Sequence, residues 1–119
     1  MEMHKWTMMV SVAELYMTNM VEINTENLAD KRALNGRVMR YVPISPVVYR
    51  EAILLALSGE LEQAKLQITR AIWSYPADFV GVRRQLDIMA SKDPAHFAAL
   101  LEFAVQKYEE WQRRGVPAK

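Results

Sequence analysis

The chain has 119 residues, of which 51% are hydrophobic and 24% charged, so it is expected to fold around a single core rather than to be disordered or fibrous. Fifteen lysines and arginines against fourteen aspartates and glutamates give a formal net charge of +1, which argues against nucleic-acid binding driven by a strong positive field. The absence of cysteine excludes disulfides, thiolate nucleophiles and zinc-finger ligation.

An N-terminal helix that is apolar over a wide arc is the first predicted element, and six of the eight methionines lie within the first twenty residues. Core packing accounts for its inner stripe, which comprises Met3, Trp6, Val10, Ala13, Met17 and Met20. Beside this stripe lie Met8, Val12 and Tyr16. Because methionine-rich apolar helices adapt to irregular partners, these three residues are candidates for docking on another protein, with core packing as the alternative.

The stretch 24–42 predicts a weaker helix, because Gly36 lowers its intrinsic stability and Pro43 ends it. Its inward face is expected to consist of Leu28, Leu34, Val38 and Tyr41. Arg37 and Arg40 share the opposite face. A solvated surface is the favoured interpretation of these two arginines, and contact with a phosphate or lipid headgroup is the alternative.

Two further helices follow, separated by a glycine turn. Ser45 is predicted to cap the first of them, with Pro46 at its first position, where a missing N–H costs nothing. That helix is predicted to end just before Gly59, which suits a left-handed C-cap. The second helix is expected over residues 60–75 and ends at Pro76.

Within residues 45–78, small residues at the expected helix crossing, a turn glycine and a terminal proline fall in one register: Ala52, Gly59, Ala64, Ala71 and Pro76. This spacing resembles a single tetratricopeptide repeat of ~34 residues. Because packed helix axes lie only ~8–10 Å apart, large side chains at the alanines would separate the two helices. One repeat cannot bury both its faces, so residues 1–43 and 79–114 are predicted to form degenerate flanking hairpins or caps.

Two C-terminal helices complete the chain. The apolar stripe of the fifth helix comprises Phe79, Val82, Leu86, Met89 and Ala90. Asp93 is predicted to cap the sixth helix, which ends at Gly115. The buried side of the sixth helix is expected to comprise Phe97, Leu101, Ala104, Tyr108 and Trp111. Six helices joined by short linkers predict one all-α domain over residues 1–119, built of antiparallel hairpins with tetratricopeptide-like right-handed stacking.

No catalytic constellation emerges from the sequence. His4 and His96 lie on the first and last helices without metal-ligand spacing, and the four glycines are too scattered for a phosphate-binding loop. Adjacent carboxylates such as Glu109 and Glu110 point apart on a helix. We therefore expect no catalytic residue, no metal and no cofactor in this chain.

The inner face of the repeat's first helix is a second candidate binding surface. In tetratricopeptide folds, the first helices line a concave groove that receives extended peptides. Tyr49 and Ile53, together with Pro46, occupy that face and are candidate partner-binding residues. Burial in the core or exposure to solvent is the alternative for both side chains.

A pattern across residues 45–90 points to a family. A leucine- and alanine-rich helix, a glycine turn, a second helix ending in tyrosine-proline and an arginine- and leucine-containing third helix are carried by Ala56, Leu57, Gly59, Ala64, Ala71, Tyr75, Pro76, Arg83 and Leu86. This pattern resembles the C-terminal soluble region of bacterial O-linking oligosaccharyltransferases, the pilin-glycosylating relatives of O-antigen ligases and polymerases.

The resemblance implies a parent enzyme that transfers a glycan from a lipid carrier to serine or threonine of a pilin or another periplasmic protein. Its catalytic groups would lie in a membrane portion, which makes this chain a non-catalytic domain at the periplasmic face of the inner membrane. The implied partners are proteins, namely that membrane portion or a pilin-like acceptor, with membrane contact only through preceding segments. The alternative is a free-standing cytoplasmic adaptor that binds a peptide in its groove.

Overall fold

A computed structural model describes residues 12–115, which are helical apart from short connections. Six α-helices follow one another: α1 (12–19), α2 (Leu28–Tyr41), α3 (Ser45–Leu57), α4 (Leu61–Ser74), α5 (Phe79–Lys92) and α6 (Pro94–Gly115). A 3-10 turn, Pro76–Asp78, joins α4 to α5. No strand occurs between residues 12 and 115, and the predicted all-α fold is therefore confirmed.

Helix α3 is the centre of the packing. It contacts α2, α4 and α6, and nine of its 13 residues are buried, because the run 52–57 is apolar around the whole helix. Helix α4 instead has a single apolar face, which carries Ile68 and Ile72 and packs against α3. Helix α4 packs more extensively against α6 than against α5, its successor in the chain, and α5 packs against α6.

The three alanines of the repeat lie in the core. Ala52, Ala64 and Ala71 are all 0% exposed and belong to the main hydrophobic cluster. Two of them lie on α4, where the side chain of Gln67 also donates a hydrogen bond to the carbonyl of Val48 on α3 at 3.3 Å. Small side chains on α4 thus accompany a close approach of its backbone to α3.

A Schellman motif ends α3. Gly59 has a φ of 82°, and its N–H donates to the carbonyl of Ala56 at 3.0 Å, while the N–H of Glu60 donates to that of Leu55 at 2.9 Å. The left-handed backbone is the conformation that a side chain disfavours, and a Cβ added at Gly59 would meet no atom within 4 Å. Any cost of a substitution at Gly59 is therefore conformational rather than steric.

We expect Gly59→Ala to lower the free energy of unfolding by about 1 kcal/mol, because alanine resists the left-handed region. The matched control is Gly36→Ala in the interior of α2, where a Cβ also meets nothing within 4 Å. This control should gain about 0.5–1 kcal/mol from helix propensity. Urea unfolding of both variants measures the difference, and equal stabilities would contradict the turn geometry.

A pair of buried asparagines joins α1 to α2. The side-chain amide of Asn19 donates to Oδ1 of Asn35 at 2.8 Å, and the amide of Asn35 donates to Oε1 of Glu51 at 2.9 Å and to the carbonyl of Val47 at 3.3 Å. Asn19 is 1% exposed and Asn35 0%. These hydrogen bonds offset most of the desolvation of the Asn35 amide and of the Asn19 N–H group, whereas Oδ1 of Asn19 has no partner among the described residues.

Two side chains that were predicted to face the core are exposed, because the asparagine pair occupies the interior instead. Met17 is 73% exposed and Tyr41 61% exposed. Each lies at about 200–240° around its helix from the buried asparagine, because one residue turns the helix by about 100°. The prediction that Met17 and Tyr41 face the core was therefore wrong, and Ala13 is exposed as well, whereas Val38 is 0% exposed and Leu28 packs against the core, as predicted.

The starts of α3 and α6 differ from one another in their capping. Ser45 is the first residue of α3 rather than its cap, and the carbonyl of Ile44 accepts the N–H groups of Val47 and Val48 at 3.0 Å, so the predicted Ser45 cap was wrong. At α6, Oδ1 of Asp93 accepts the N–H of His96 at 3.3 Å, as predicted. The His96 ring Nδ1 lies 2.9 Å from Oδ2 of the same carboxylate.

Candidate functional site

A cavity of about 360 Å³ lies between α3 and the start of α5. We call it the α3–α5 cavity. Its apolar wall includes Met20, Ile23, Pro46, Ile53 and Val82. Its polar lining includes Arg50 of α3, Asp78 of the 3-10 turn and Gln85 of α5. The cavity therefore combines a mostly hydrocarbon surface with a few polar groups, as small binding sites commonly do.

The predicted groove residues lie in the wall of this cavity. Tyr49 is 2% exposed and Ile53 1% exposed, and both belong to the hydrophobic core. Each also lines the α3–α5 cavity, since α3 carries them four residues apart on one face. Partner binding through Tyr49 and Ile53 stays a prediction, and any contact with a partner would be made from inside the cavity.

Two tyrosines brace the cavity wall. The hydroxyl of Tyr49 donates to the carbonyl of Tyr75 at 2.9 Å, and the hydroxyl of Tyr75 donates to the carbonyl of Pro43 at 2.7 Å. Burial, and next the charge of Asp78, raises the pKa of Tyr49 well above its usual range. These bonds tie the end of α4 to α3 and to the loop before it, which gives the tyrosine before Pro76 a structural role.

Arg50 is the unusual residue of the site. It is 6% exposed, and within residues 12–115 its Nε and Nη2 atoms have no hydrogen-bond partner. Burial lowers the pKa of its guanidinium, because the charged form loses hydration, yet an arginine stays charged in a protein. No sequence motif singled out Arg50, which with Glu51 is one of the two charged residues in a mostly apolar helix.

A second cavity adjoins the first. It has a volume of about 570 Å³, lies between residues 21–23 and α5, and shares Arg50 and Gln85 with the α3–α5 cavity. We call it the outer cleft. Glu22 and Lys92, both exposed, lie in its lining. Arg50 therefore borders two connected spaces rather than one sealed pocket.

The chain's own linker lies along the groove predicted for a peptide. Met20 and Ile23, between α1 and α2, line the α3–α5 cavity, and Ile23 packs against the core. An extended peptide entering between α3 and α5 would contact these residues or displace them. The groove is thus partly filled by the segment that connects the N-terminal helix to the repeat.

The other predicted site residues lie elsewhere. Val12 and Tyr16 are half-buried on α1, and Met8 lies outside the described residues. Arg37 and Arg40 are exposed on α2. None of these residues lines the α3–α5 cavity or the outer cleft, so the structure does not bring them together with Tyr49 and Ile53.

The part of the chain that the structure describes carries neither a cluster of metal ligands nor a membrane-spanning helix. Within it, no group of three or more histidine, cysteine, aspartate or glutamate side chains is placed to hold a metal ion. None of the helices between residues 12 and 115 has the length and apolar character needed to cross a membrane.

A family model described as the C-terminal part of a virulence factor membrane-bound polymerase matches residues 5–86, more than half of the chain. The chain belongs to this family. The match confirms the resemblance to polymerases at the level of this C-terminal family. The matched range contains Arg50 and Gln85. No curated protein and no solved structure matches the chain.

Proposed function

We propose that this polymerase C-terminal domain is non-catalytic, lies at the periplasmic face of the inner membrane and acts through protein contacts. The observation that carries the proposal is the family match over residues 5–86. The resemblance across residues 45–90 supports it further, because it implies catalytic groups in a membrane portion of the parent enzyme. The domain would position an acceptor protein or hold the enzyme's own membrane portion.

The finer proposal is a parent enzyme that glycosylates pilin-like proteins. It rests on the tyrosine-proline end of the repeat's second helix, here Tyr75 and Pro76. Tyr75 is hydrogen-bonded to Tyr49, which lines the cavity, and to the carbonyl of Pro43. The dipeptide therefore helps to hold a residue of the cavity wall in place, and it follows the end of α4. Under this proposal the acceptor is a serine or threonine of a pilin-like protein.

The N-terminal helix is the proposed docking surface for the membrane portion. Met17 is 73% exposed and Val21 48% exposed, while Val12 and Tyr16 are only half-buried. Val12, Tyr16 and Met17 lie on α1, and Val21 lies two residues after its end. Methionine-rich surfaces of this kind adapt to irregular partners.

We expect the double variant Met8→Glu/Val12→Glu to keep its helix content but to lose association with the membrane portion by about tenfold or more, because two charges would be buried at the contact. The measurement is a pull-down of the co-expressed membrane portion by the tagged chain, with circular dichroism as the fold check. The matched control is Leu66→Glu/Val80→Glu, which adds the same charge at positions 55% and 60% exposed.

Three outcomes would count against the proposal. Retained association of the double variant would remove α1 from the contact. Loss of helix content would assign Met8 and Val12 to the core. Glycosyl transfer by the 119-residue chain alone would show that the domain is catalytic.

One observation favours the second candidate function, a free-standing adaptor that binds a peptide. The α3–α5 cavity, with Tyr49 and Ile53 in its wall, would serve as the groove for a peptide that packs beside Met20 and Ile23 or displaces them. The coding sequence upstream of Met1 separates the two candidates: several apolar stretches of ~20 residues in one frame with it indicate the membrane enzyme.

A further inference from the structure

Arg50 is a buried cation whose anion is missing from the described part of the chain. No ion pair of residues 12–115 includes it, although it is only 6% exposed. An unpaired buried charge is costly, and an apolar side chain of similar length would fill the same space without that cost. The buried guanidinium is therefore better explained by a ligand than by packing.

The charges around Arg50 favour a ligand with a single negative charge. Asp78 lines the α3–α5 cavity, while Glu22 and Lys92 line the outer cleft. Lys92 and Glu22 offset one another in the outer cleft, which leaves Asp78 as the carboxylate beside Arg50 in the α3–α5 cavity, and Asp78 repels a dianion such as phosphate more strongly than a monoanion. A carboxylate matches both the charge and the planar fork of an arginine, which it can accept in a bidentate pair.

The walls of the cavity indicate what carries the carboxylate. Ile23, Ile53 and Val82 form apolar lining beside Arg50, and the volume of about 360 Å³ suits one or two side chains. We propose that the α3–α5 cavity binds the carboxylate of an acidic residue, flanked by apolar side chains, on a protein partner. This inference rests on the proposed function, in which the domain acts through protein contacts.

The test uses the 119-residue chain and two capped peptides, acetyl-Leu-Glu-Leu-amide and its glutamine counterpart. The two differ only in charge and have the same shape. We expect the glutamate peptide to bind at least about tenfold more tightly, because a charge-assisted pair forms in a desolvated site. Nuclear magnetic resonance titration measures both affinities, and the Nε–H signal of Arg50 should shift with the glutamate peptide only.

Three variants distinguish binding at Arg50 from an effect of the domain's net charge. Arg50→Met should abolish the preference for glutamate over glutamine without lowering the melting temperature, since it removes an unpaired buried charge. Arg50→Lys keeps the charge but loses the fork, so the preference should fall by about tenfold. Arg83→Met on the exposed face of α5 changes the net charge equally and should leave binding unchanged.

Several results would overturn the inference. These are equal affinity for the two peptides, an undiminished preference in Arg50→Met, or a marked fall in its melting temperature, which would make Arg50 structural. Hexanoate or inorganic phosphate binding at Arg50 more tightly than the glutamate peptide would assign the site to a free acid or a dianion instead. The peptide titration does not involve the membrane portion, so failure here is distinct from failure of the docking experiment.

Discussion

Replacing Phe79 by alanine is expected to lower the free energy of unfolding by about 3–5 kcal/mol, the range for deleting a fully buried aromatic side chain. Phe79 is 1% exposed at the first position of α5. Its ring lies 5.0 Å from that of Tyr108 on α6 and 6.5 Å from that of Tyr49 on α3, measured between centroids. The variant would remove the side chain through which three helices meet.

Urea unfolding with a fluorescence readout measures this loss, and the neighbouring residue provides the control. Val80 is 60% exposed, so Val80→Ala should change stability by no more than about 0.5 kcal/mol. A loss below about 1 kcal/mol in Phe79→Ala would mean that the ring is not part of the core. Because Tyr49 also forms the cavity wall, Phe79→Ala should weaken peptide binding as well.

Ala64→Leu is expected to cost about 1–3 kcal/mol or more, because three extra heavy atoms have no space between α4 and its neighbours. Ala64 is 0% exposed, and α4 packs against both α3 and α6. The leucine would force these helices apart, or it would push neighbouring side chains out of their preferred rotamers. The midpoint of urea unfolding and the melting temperature both report the change.

Gln63→Leu is the matched control for this overpacking. Gln63 is exposed one residue before Ala64, so the same leucine there should change stability by about 0.5 kcal/mol at most. Equal stability of Ala64→Leu and the unchanged chain would show that the helices are not in close contact at this alanine. That outcome would also remove the physical basis of the repeat register.

The helix boundaries from α3 onwards were predictable because their signals are local. Pro46 sits in the first turn of α3, Gly59 adopts the left-handed conformation after it, and Pro76 follows the end of α4. Each residue restricts the backbone through its own covalent structure, whatever its tertiary neighbours. The apolar faces of α4 and α5 followed in the same way from helical spacing.

Apolar spacing predicted the burial of Val38 and Leu28 on α2 correctly, but it placed Met17 of α1 and Tyr41 of α2 on the wrong side. The hydrogen bond between Asn19 and Asn35 joins residues 16 apart in the chain, and it brings two polar side chains into the interior. Hydrophobic periodicity treats every asparagine as a surface residue, so it turned Met17 and Tyr41 inwards. Predicting a buried polar pair of this kind requires knowledge of which helices meet.

The amino-acid sequence by itself predicted the all-α fold that residues 12–115 adopt, where most of their helices end, and the relationship to membrane-bound polymerases. Only the tertiary structure decided that Asn19 and Asn35 are buried while Met17 and Tyr41 are exposed, and that Arg50 lies unpaired between two cavities. The difference has one physical reason. Backbone preferences and apolar periodicity act within a helix, whereas the cost of burying an amide or a guanidinium depends on partners that other helices supply or withhold.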